Sequence, residues 1–416
     1  MTKLSDKKNV NFLVVLCAVV YFVSYISRVN LGTVLVEIIS SGYAPKAVAA
    51  LALTACSITY GAGQLVSGYL GDKFKPQNII FTGFIITSLM NLCVGTVGNG
   101  EMLVVFWAVN GFAQALMWPP LVKILSNLLN DEDYKKACVK VSWGSSLGTV
   151  SVYLVAPFII KAFDVKIVFV LCGVIAAVMA FVWKLTYDNY KPIKACLTGV
   201  SNAKEQVKST KAAESSVAKF DKTSVALLSL IMVCIMLQGS LRDGVTNWTP
   251  TYISEIFKLD SSISILTGVI LPIFSLLSFT FVSFVNRKFI KNELVCAGVT
   301  FGVGAVSAVL LLLLGSNSVV LSLASLALLV GSMHGVNLIL VCMIPAHFAK
   351  FGKVSFISGL INSCTYVGAA ISTYGIAVFT DSFGWNKTIL LWSIVAFAGA
   401  FICIAVSKKW VAFKKS

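Results

Sequence analysis

The sequence predicts an all-α membrane protein with twelve transmembrane helices, arranged as two pseudo-symmetric six-helix halves. Hydrophobic residues make up 57% of the chain and charged residues only 12%, with a mean hydropathy of +0.88. This balance is typical of polytopic membrane proteins and unlike that of soluble domains. Twelve apolar segments have the length of about 20 residues that a helix needs to cross a bilayer. A single lysine-rich stretch separates the first six segments from the last six.

The predicted spans follow one another through short connections. They lie near residues 10–37, 47–71, 77–98, 102–128, 139–163, 167–187, 223–253, 262–285, 293–314, 318–345, 354–380 and 386–407. The first apolar run is too long for a cleavable signal peptide, so we expect it to remain as the first helix. The 11 cysteines lie singly and lack the paired spacing of zinc or redox motifs. We therefore predict neither a metal site nor a cofactor.

The distribution of basic residues orients the predicted helices. If the N-terminus is cytoplasmic, 25 of the 33 lysine and arginine residues lie in cytoplasmic segments, five in outer loops and three within spans. An excess of basic residues in cytoplasmic loops is the usual pattern in membrane proteins. The sequence therefore predicts a multi-pass plasma-membrane protein with both termini in the cytoplasm. The net charge of +16 reflects this bias and attraction to anionic lipids, so no nucleic-acid partner is expected.

The lysine-rich stretch at 188–222 marks the predicted domain boundary. It contains few large apolar residues and predicts a cytoplasmic linker between an N-terminal half, 1–187, and a C-terminal half, 223–416. Arginines occur at comparable depths in the first predicted helix of each half. Such repeat symmetry is typical of secondary transporters, whose solute binds near the membrane midplane between the repeats.

Two of the chain's three arginines, Arg28 and Arg242, lie inside apolar segments. An arginine at that depth costs at least about 2.5 to 3.5 kcal/mol, so it needs compensation or a function. Guanidinium is permanently charged, and its planar fork matches phosphate or carboxylate oxygens. We therefore expect both arginines to face one cavity and bind an anion, with snorkelling or a structural ion pair as the alternative. Asp243 is adjacent to Arg242, but neighbouring helical side chains point about 100° apart, which argues against that pairing.

Other polar residues in the spans are further candidates for solute contacts. Tyr21 and Tyr25 share a helical face with Arg28, because the three residues have the spacing i, i+4 and i+7. Packing is the alternative role for these tyrosines. His334 lies in the tenth predicted span, where a histidine is unfavourable unless it is used or hydrogen-bonded.

The loop "GYLGDKFKPQN" at 68–78 resembles the Gly-xxx-Asp-Arg/Lys loop of the major facilitator superfamily through Gly68, Asp72 and Lys73. An aspartate at the inner end of a helix can accept hydrogen bonds from backbone amides and from basic side chains. The resemblance implies that this loop latches one conformation, whereas a solvated turn is the alternative. The counterpart after the eighth span has Asn286 instead of an acid, so a weaker latch is expected there.

Longer motifs resemble the organophosphate:phosphate antiporter family of that superfamily, which includes glycerol-3-phosphate and hexose-phosphate exchangers. The stretch "YFVSYISRVN" is similar to the family's Tyr-xxx-Tyr-xx-Arg motif. The stretch "LRDGVTNWTPTYISEI" is similar to its Leu-Arg-Tyr-Gly-xx-Asp/Asn-Trp-xPro-xTyr motif. The resemblance implies a major facilitator fold and a substrate site that contains Tyr21, Tyr25, Arg28, Trp118 of "WPPLVK", Arg242, His334 of "MHGVNLIL" and Tyr366 of "INSCTYVG".

The chain departs from the family pattern at three basic or titratable positions. Gln64 in "YGAGQ" replaces a lysine and remains a candidate ligand, Val29 replaces a second lysine, and Leu147 in "WGSSLG" replaces a histidine. These losses allow an anion that is less charged than glycerol 3-phosphate, or shaped differently.

Together these features predict a monomeric secondary transporter that exchanges a phosphorylated metabolite for inorganic phosphate by alternating access. An enzyme is not expected, because no segment combines a nucleophile with a base or a set of metal ligands. One alternative is a proton- or sodium-coupled symporter of a carboxylate or phosphonate, with Asp243 as the coupling acid. The other is a sugar-phosphate sensor with the same fold.

Overall fold

The computed structural model describes residues 3–97, 100–196, 222–258 and 270–415, and the regular structure in these residues is helical. In this part of the chain, 11 helices are long and apolar enough to cross a membrane, which confirms the predicted all-α membrane fold. The helices are α1 (Lys7–Thr33), α2 (Leu35–Ser40), α3 (Lys46–Lys73), α4 (Pro76–Val97), α5 (Leu103–Ala115), α6 (Trp118–Leu128), α7 (Asp131–Ala162), α8 (Val165–Asn189), α9 (Lys222–Phe257), α10 (Ile270–Lys288), α11 (Glu293–Leu314), α12 (Val319–Asn337) and α13 (Val354–Lys415).

Short segments of other helical types extend two of these helices. A 3₁₀ turn, Gly315–Asn317, follows α11, and α12 continues through a π-helical segment, Leu338–Met343, and a 3₁₀ segment, Ile344–Phe351. Residues 191–196 are helical. The remainder of the predicted linker and the start of the predicted eighth span, 262–269, lie outside the described residues.

Proline and glycine account for two differences from the predicted spans. The fourth span is divided into α5 and α6, and Pro119 lies in the first turn of α6, where its missing N–H is tolerated. The last two predicted spans form the single run α13. That run breaks at Gly384, whose φ of 78° and ψ of 171° are not helical. Glycine adopts this conformation without the steric penalty of a Cβ atom.

The chain divides into two compact units. The first unit contains Met1–Lys219 together with Pro345–Leu360, so the first two turns of α13 belong to it. In this unit α1 packs against α7, α3 against α5, and α4 against α8. The second unit contains Phe220–Ile344 and Ile361–Ser416, and within it α12 packs against α9, α10 and α11.

Buried hydrogen bonds fix the rotation of α1 in the first unit. Asn30 Nδ2 donates to Asn91 Oδ1 at 2.8 Å, and Asn110 Nδ2 donates to the carbonyl oxygen of Ser27 at 3.1 Å. Gly148 of α7 lies so close to α1 that a Cβ atom there would be 2.6 Å from the carbonyl oxygen of Phe22. Buried polar groups require partners. These contacts therefore fix the direction in which the face of α1 with its tyrosines and arginine points.

Candidate functional site

Arg28 lies against two aromatic rings in the first unit. Its Cζ atom is 4.0 Å from the ring centroid of Tyr25 and 4.5 Å from that of Tyr60 on α3. Cation–π contacts of this kind contribute about 0.5 to 2 kcal/mol each, and more where water is excluded. The rings therefore help to stabilise a guanidinium ion inside a membrane span. Sequence reasoning missed Tyr60, although the Tyr-Gly pair in "YGAGQ" lies one helical turn before Gln64.

The predicted tyrosines and Trp118 continue this aromatic cluster. The ring of Tyr21 is 5.0 Å from that of Tyr25 and 4.9 Å from that of Trp118. Trp118 is buried, and its indole N–H has no hydrogen-bond partner. Leaving a buried donor unpaired costs about 1 to 3 kcal/mol. The structure thus brings together four predicted site residues, Tyr21, Tyr25, Arg28 and Trp118.

Gln64 lies one turn of α3 beyond Tyr60 and is fully buried. Neither atom of its side-chain amide has a hydrogen-bond partner. The backbone of Gln64 packs directly against Gly359 at the start of α13. The side chain is therefore enclosed by helix packing in this conformation.

Asp72 caps the N-terminus of α13 within the first unit. Its Oδ1 accepts a hydrogen bond from the backbone N–H of Ser355 at 3.1 Å, and its Oδ2 accepts one from that of Phe356 at 2.9 Å. A carboxylate at this position satisfies backbone donors and interacts favourably with the helix dipole. Gly68 permits the approach, because a Cβ atom there would be 2.7 Å from the carbonyl oxygen of Ser355.

Lys123 supplies the positive charge beside Asp72. Its Nζ is 3.5 Å from Asp72 Oδ1 and also donates to the backbone carbonyls of Gly71 and Asp72 at 2.8 and 3.1 Å. Lys73, the basic residue predicted for the latch, instead lies with its Nζ 4.3 Å from the ring centroid of Tyr69. The signal that could have identified Lys123 is its position inside the predicted fourth span, 102–128.

Arg242 and Asp243 form a two-point ion pair in the second unit. Arg242 Nε donates to Asp243 Oδ1 at 2.6 Å, and Arg242 Nη2 donates to Asp243 Oδ2 at 2.9 Å. The prediction that these neighbours do not pair is therefore wrong. Their side chains leave the helix in different directions, but the long, flexible arginine side chain turns back to its neighbour.

His334 on α12 lies near this ion pair. Its ring is 5.6 Å from that of Phe279 in an edge-to-face arrangement. Gln238, one turn before Arg242, donates from Nε2 to the carbonyl oxygen of Met333 at 3.0 Å. This hydrogen bond holds the relevant turns of α9 and α12 together.

Tyr366 is partly buried on α13. The same stretch is held against α9, because Ser240 Oγ donates to the carbonyl oxygen of Gly368 at 2.9 Å. Among the described residues, no group of three or more His, Cys, Asp or Glu side chains could hold a metal ion. The 11 cysteines are in the reduced form.

The sequence pattern of the Major Facilitator Superfamily matches residues 17–373. The chain belongs to this superfamily. Solved structures of the proton:xylose symporter XylE and of FucP in the outward conformation both superpose with a TM-score of 0.70 at 12% identity. The XylE match covers 95% of both chains, and the FucP match covers 95% of this chain and 98% of FucP. These likenesses establish the major facilitator fold of a multi-pass membrane protein.

Relatives in sequence confirm the resemblance to the organophosphate:phosphate antiporter family. The glycerol-3-phosphate transporter of Bacillus subtilis is 21% identical over 382 residues, which cover 87% of this chain and 84% of that protein. A probable hexose phosphate transport protein of Chlamydia muridarum is 39% identical over 70 residues, 17% of this chain and only 15% of that protein. The membrane sensor protein UhpC of Salmonella typhimurium is 21% identical over 58% of this chain and 56% of the sensor.

Proposed function

We propose that this chain is a secondary transporter of a small organic anion, a phosphorylated metabolite that it exchanges for inorganic phosphate. The observation that carries the proposal is Arg28, an arginine held by tyrosine rings inside a membrane span. We place the protein in the plasma membrane as a monomer, with both termini in the cytoplasm.

In this proposal the arginines bind the charged group of the solute. The forks of Arg28 and Arg242 offer paired donors to phosphate oxygens. Tyr21, Tyr25 and Trp118 lie close enough to Arg28's cluster to add hydroxyl and indole donors. A phosphate dianion gains more from such groups than a monoanion does, because it carries more charge and offers two oxygens to each planar fork.

Exchange is the expected transport mode. A cationic site in a membrane span is stabilised when an anion binds, so the loaded site should change conformation more readily than the empty one. Proteoliposomes loaded with phosphate should therefore take up labelled glycerol 3-phosphate or hexose phosphate at least about tenfold faster than empty vesicles. An imposed proton gradient should change the rate little.

Two other outcomes of that measurement would indicate other functions. Uptake that is equal in empty vesicles, driven by a pH step and abolished by Asp243→Asn would support a symporter. Binding without uptake would support a sensor, a reading that the similarity to UhpC favours.

His334 is expected to contribute to solute binding. His334→Ala should weaken binding of the transported solute several-fold, because the hydrogen bond from Gln238 to the carbonyl oxygen of Met333 holds the turn of α12 that carries His334 against the turn of α9 that precedes Arg242. The change is measured by titration of the purified variant at several pH values, with His347→Ala as the matched control. Unchanged affinity and an unchanged pH profile would assign His334 to packing.

A further inference from the structure

We infer that Asp243 is a built-in competitor of the solute. Its carboxylate occupies the donor fork of Arg242 in this structure and must leave before a solute anion can bind the same edge. This inference rests on the proposed function, because it takes Arg242 as a ligand of the transported anion.

The two ligands exclude each other at one edge of the Arg242 guanidinium. Asp243 engages Nε and Nη2 of Arg242, a pair of donors that lie along one edge of the guanidinium plane. The contacts of 2.6 and 2.9 Å are within the range of charge-assisted hydrogen bonds. Phosphate would use two oxygens at the same edge, so it cannot occupy this edge while both carboxylate oxygens remain there.

The pair is accessible enough to exchange partners. The side chains of Arg242 and Asp243 are 14% and 28% exposed. Glu293 in the same unit provides a contrast, since its carboxylate is only 2% exposed and is bound by Trp410 Nε1 at 2.9 Å and Lys414 Nζ at 2.7 Å. Glu293 is thus enclosed in a structural network, whereas Asp243 can turn away from Arg242.

Competition of this kind sets both affinity and selectivity. If Asp243 occupies the fork in about nine of ten empty molecules, the apparent affinity for a solute falls about tenfold. A monoanionic carboxylate gains little by replacing another carboxylate. A phosphate dianion carries more charge, so it displaces Asp243 more effectively, and the competitor favours phosphorylated solutes over simple carboxylates.

The test is a thermal-shift titration of the full-length protein in lipid nanodiscs with inorganic phosphate and, separately, acetate. Asp243→Asn should reach half of its maximal stabilisation at about one tenth of the phosphate concentration that the unmodified protein requires. The variant should also be stabilised by acetate, to which the unmodified protein should respond weakly. Asp243→Ser provides a second variant in case Asp243→Asn does not fold.

Two controls separate competition from a general change of charge. Glu255→Gln removes a carboxylate from the same helix and should leave the phosphate titration unchanged. In the structure Glu255 accepts a hydrogen bond from Trp385 Nε1. The double variant Arg242→Gln with Asp243→Asn removes both the arginine fork and its competitor. It should therefore lack the tighter phosphate binding expected of Asp243→Asn alone.

The outcomes distinguish this inference from the proposed function. The competition would be refuted if Asp243→Asn and Asp243→Ser bind phosphate no more tightly than the unmodified protein. The same conclusion would follow if phosphate does not stabilise these variants at all. Normal solute uptake with that result would leave the proposed transport function standing. Conversely, tighter phosphate binding by Asp243→Asn, with no uptake of any phosphorylated solute by the unmodified protein, would support the competition and refute transport.

Discussion

Arg28→Lys is expected to reduce solute uptake at least about 100-fold while the protein still folds. Lysine keeps the charge but loses the planar fork that binds two oxygens of a phosphate at once. It also loses the flat guanidinium that packs against the rings of Tyr25 and Tyr60 at 4.0 and 4.5 Å. Arg242→Lys should have a comparable effect, since the same donor geometry is lost there.

The measurement is uptake of labelled glycerol 3-phosphate and hexose phosphate into phosphate-loaded proteoliposomes, with equal amounts of folded protein. Arg287→Lys is the matched control, because Arg287 lies in the last turn of α10 next to Lys288. This control should retain normal uptake. Near-normal uptake by Arg28→Lys would argue against direct binding of the solute by this arginine.

Asp72→Ala is expected to slow exchange about tenfold by weakening the contact between α3 and the start of α13. The alanine cannot accept the hydrogen bonds from Ser355 and Phe356, and loss of an N-terminal cap typically costs about 0.5 to 2 kcal/mol. The substitution also removes the carboxylate that pairs with Lys123, whose side chain is only 19% exposed. If this contact forms and breaks during transport, a change of that size shifts its populations by about tenfold.

Cysteine alkylation can report on the same contact. Ser358 is fully buried and lacks a hydrogen-bond partner, so a cysteine there should react slowly when Asp72 is intact. In the Asp72→Ala background, Ser358→Cys should react several-fold faster. Asp188→Ala removes a half-exposed carboxylate that pairs with Lys184, and serves as the control. Equal alkylation and exchange rates in all three backgrounds would contradict a latch at Asp72.

The sequence was sufficient to predict the helical membrane fold and the unusual position of Arg28. Long apolar segments must satisfy their backbone groups within helices when no water is present, so composition alone constrains the fold strongly. The spacing of Tyr21, Tyr25 and Arg28 placed them on one helical face, and the aromatic contacts in the structure agree with that prediction.

The partners of these residues were harder to predict. Tyr60 and Lys123 come from other helices, and their contacts depend on how α3 and α6 pack in the first unit. The pairing of Arg242 with Asp243 depends on side-chain torsions, which helix periodicity does not specify. Gln64 was predicted as a ligand from its place in a motif, but the close approach of Gly359 encloses it.

The sequence by itself therefore determined which residues carry charge inside the membrane, because hydropathy is a local property of the chain. Only the tertiary structure decided how those charges are compensated: Arg28 by tyrosine rings, Arg242 by its neighbouring carboxylate, and Asp72 by backbone amides with Lys123. The physical reason is that electrostatic interactions in a low-dielectric medium depend on distances of a few ångströms. Helix packing and side-chain torsions set those distances.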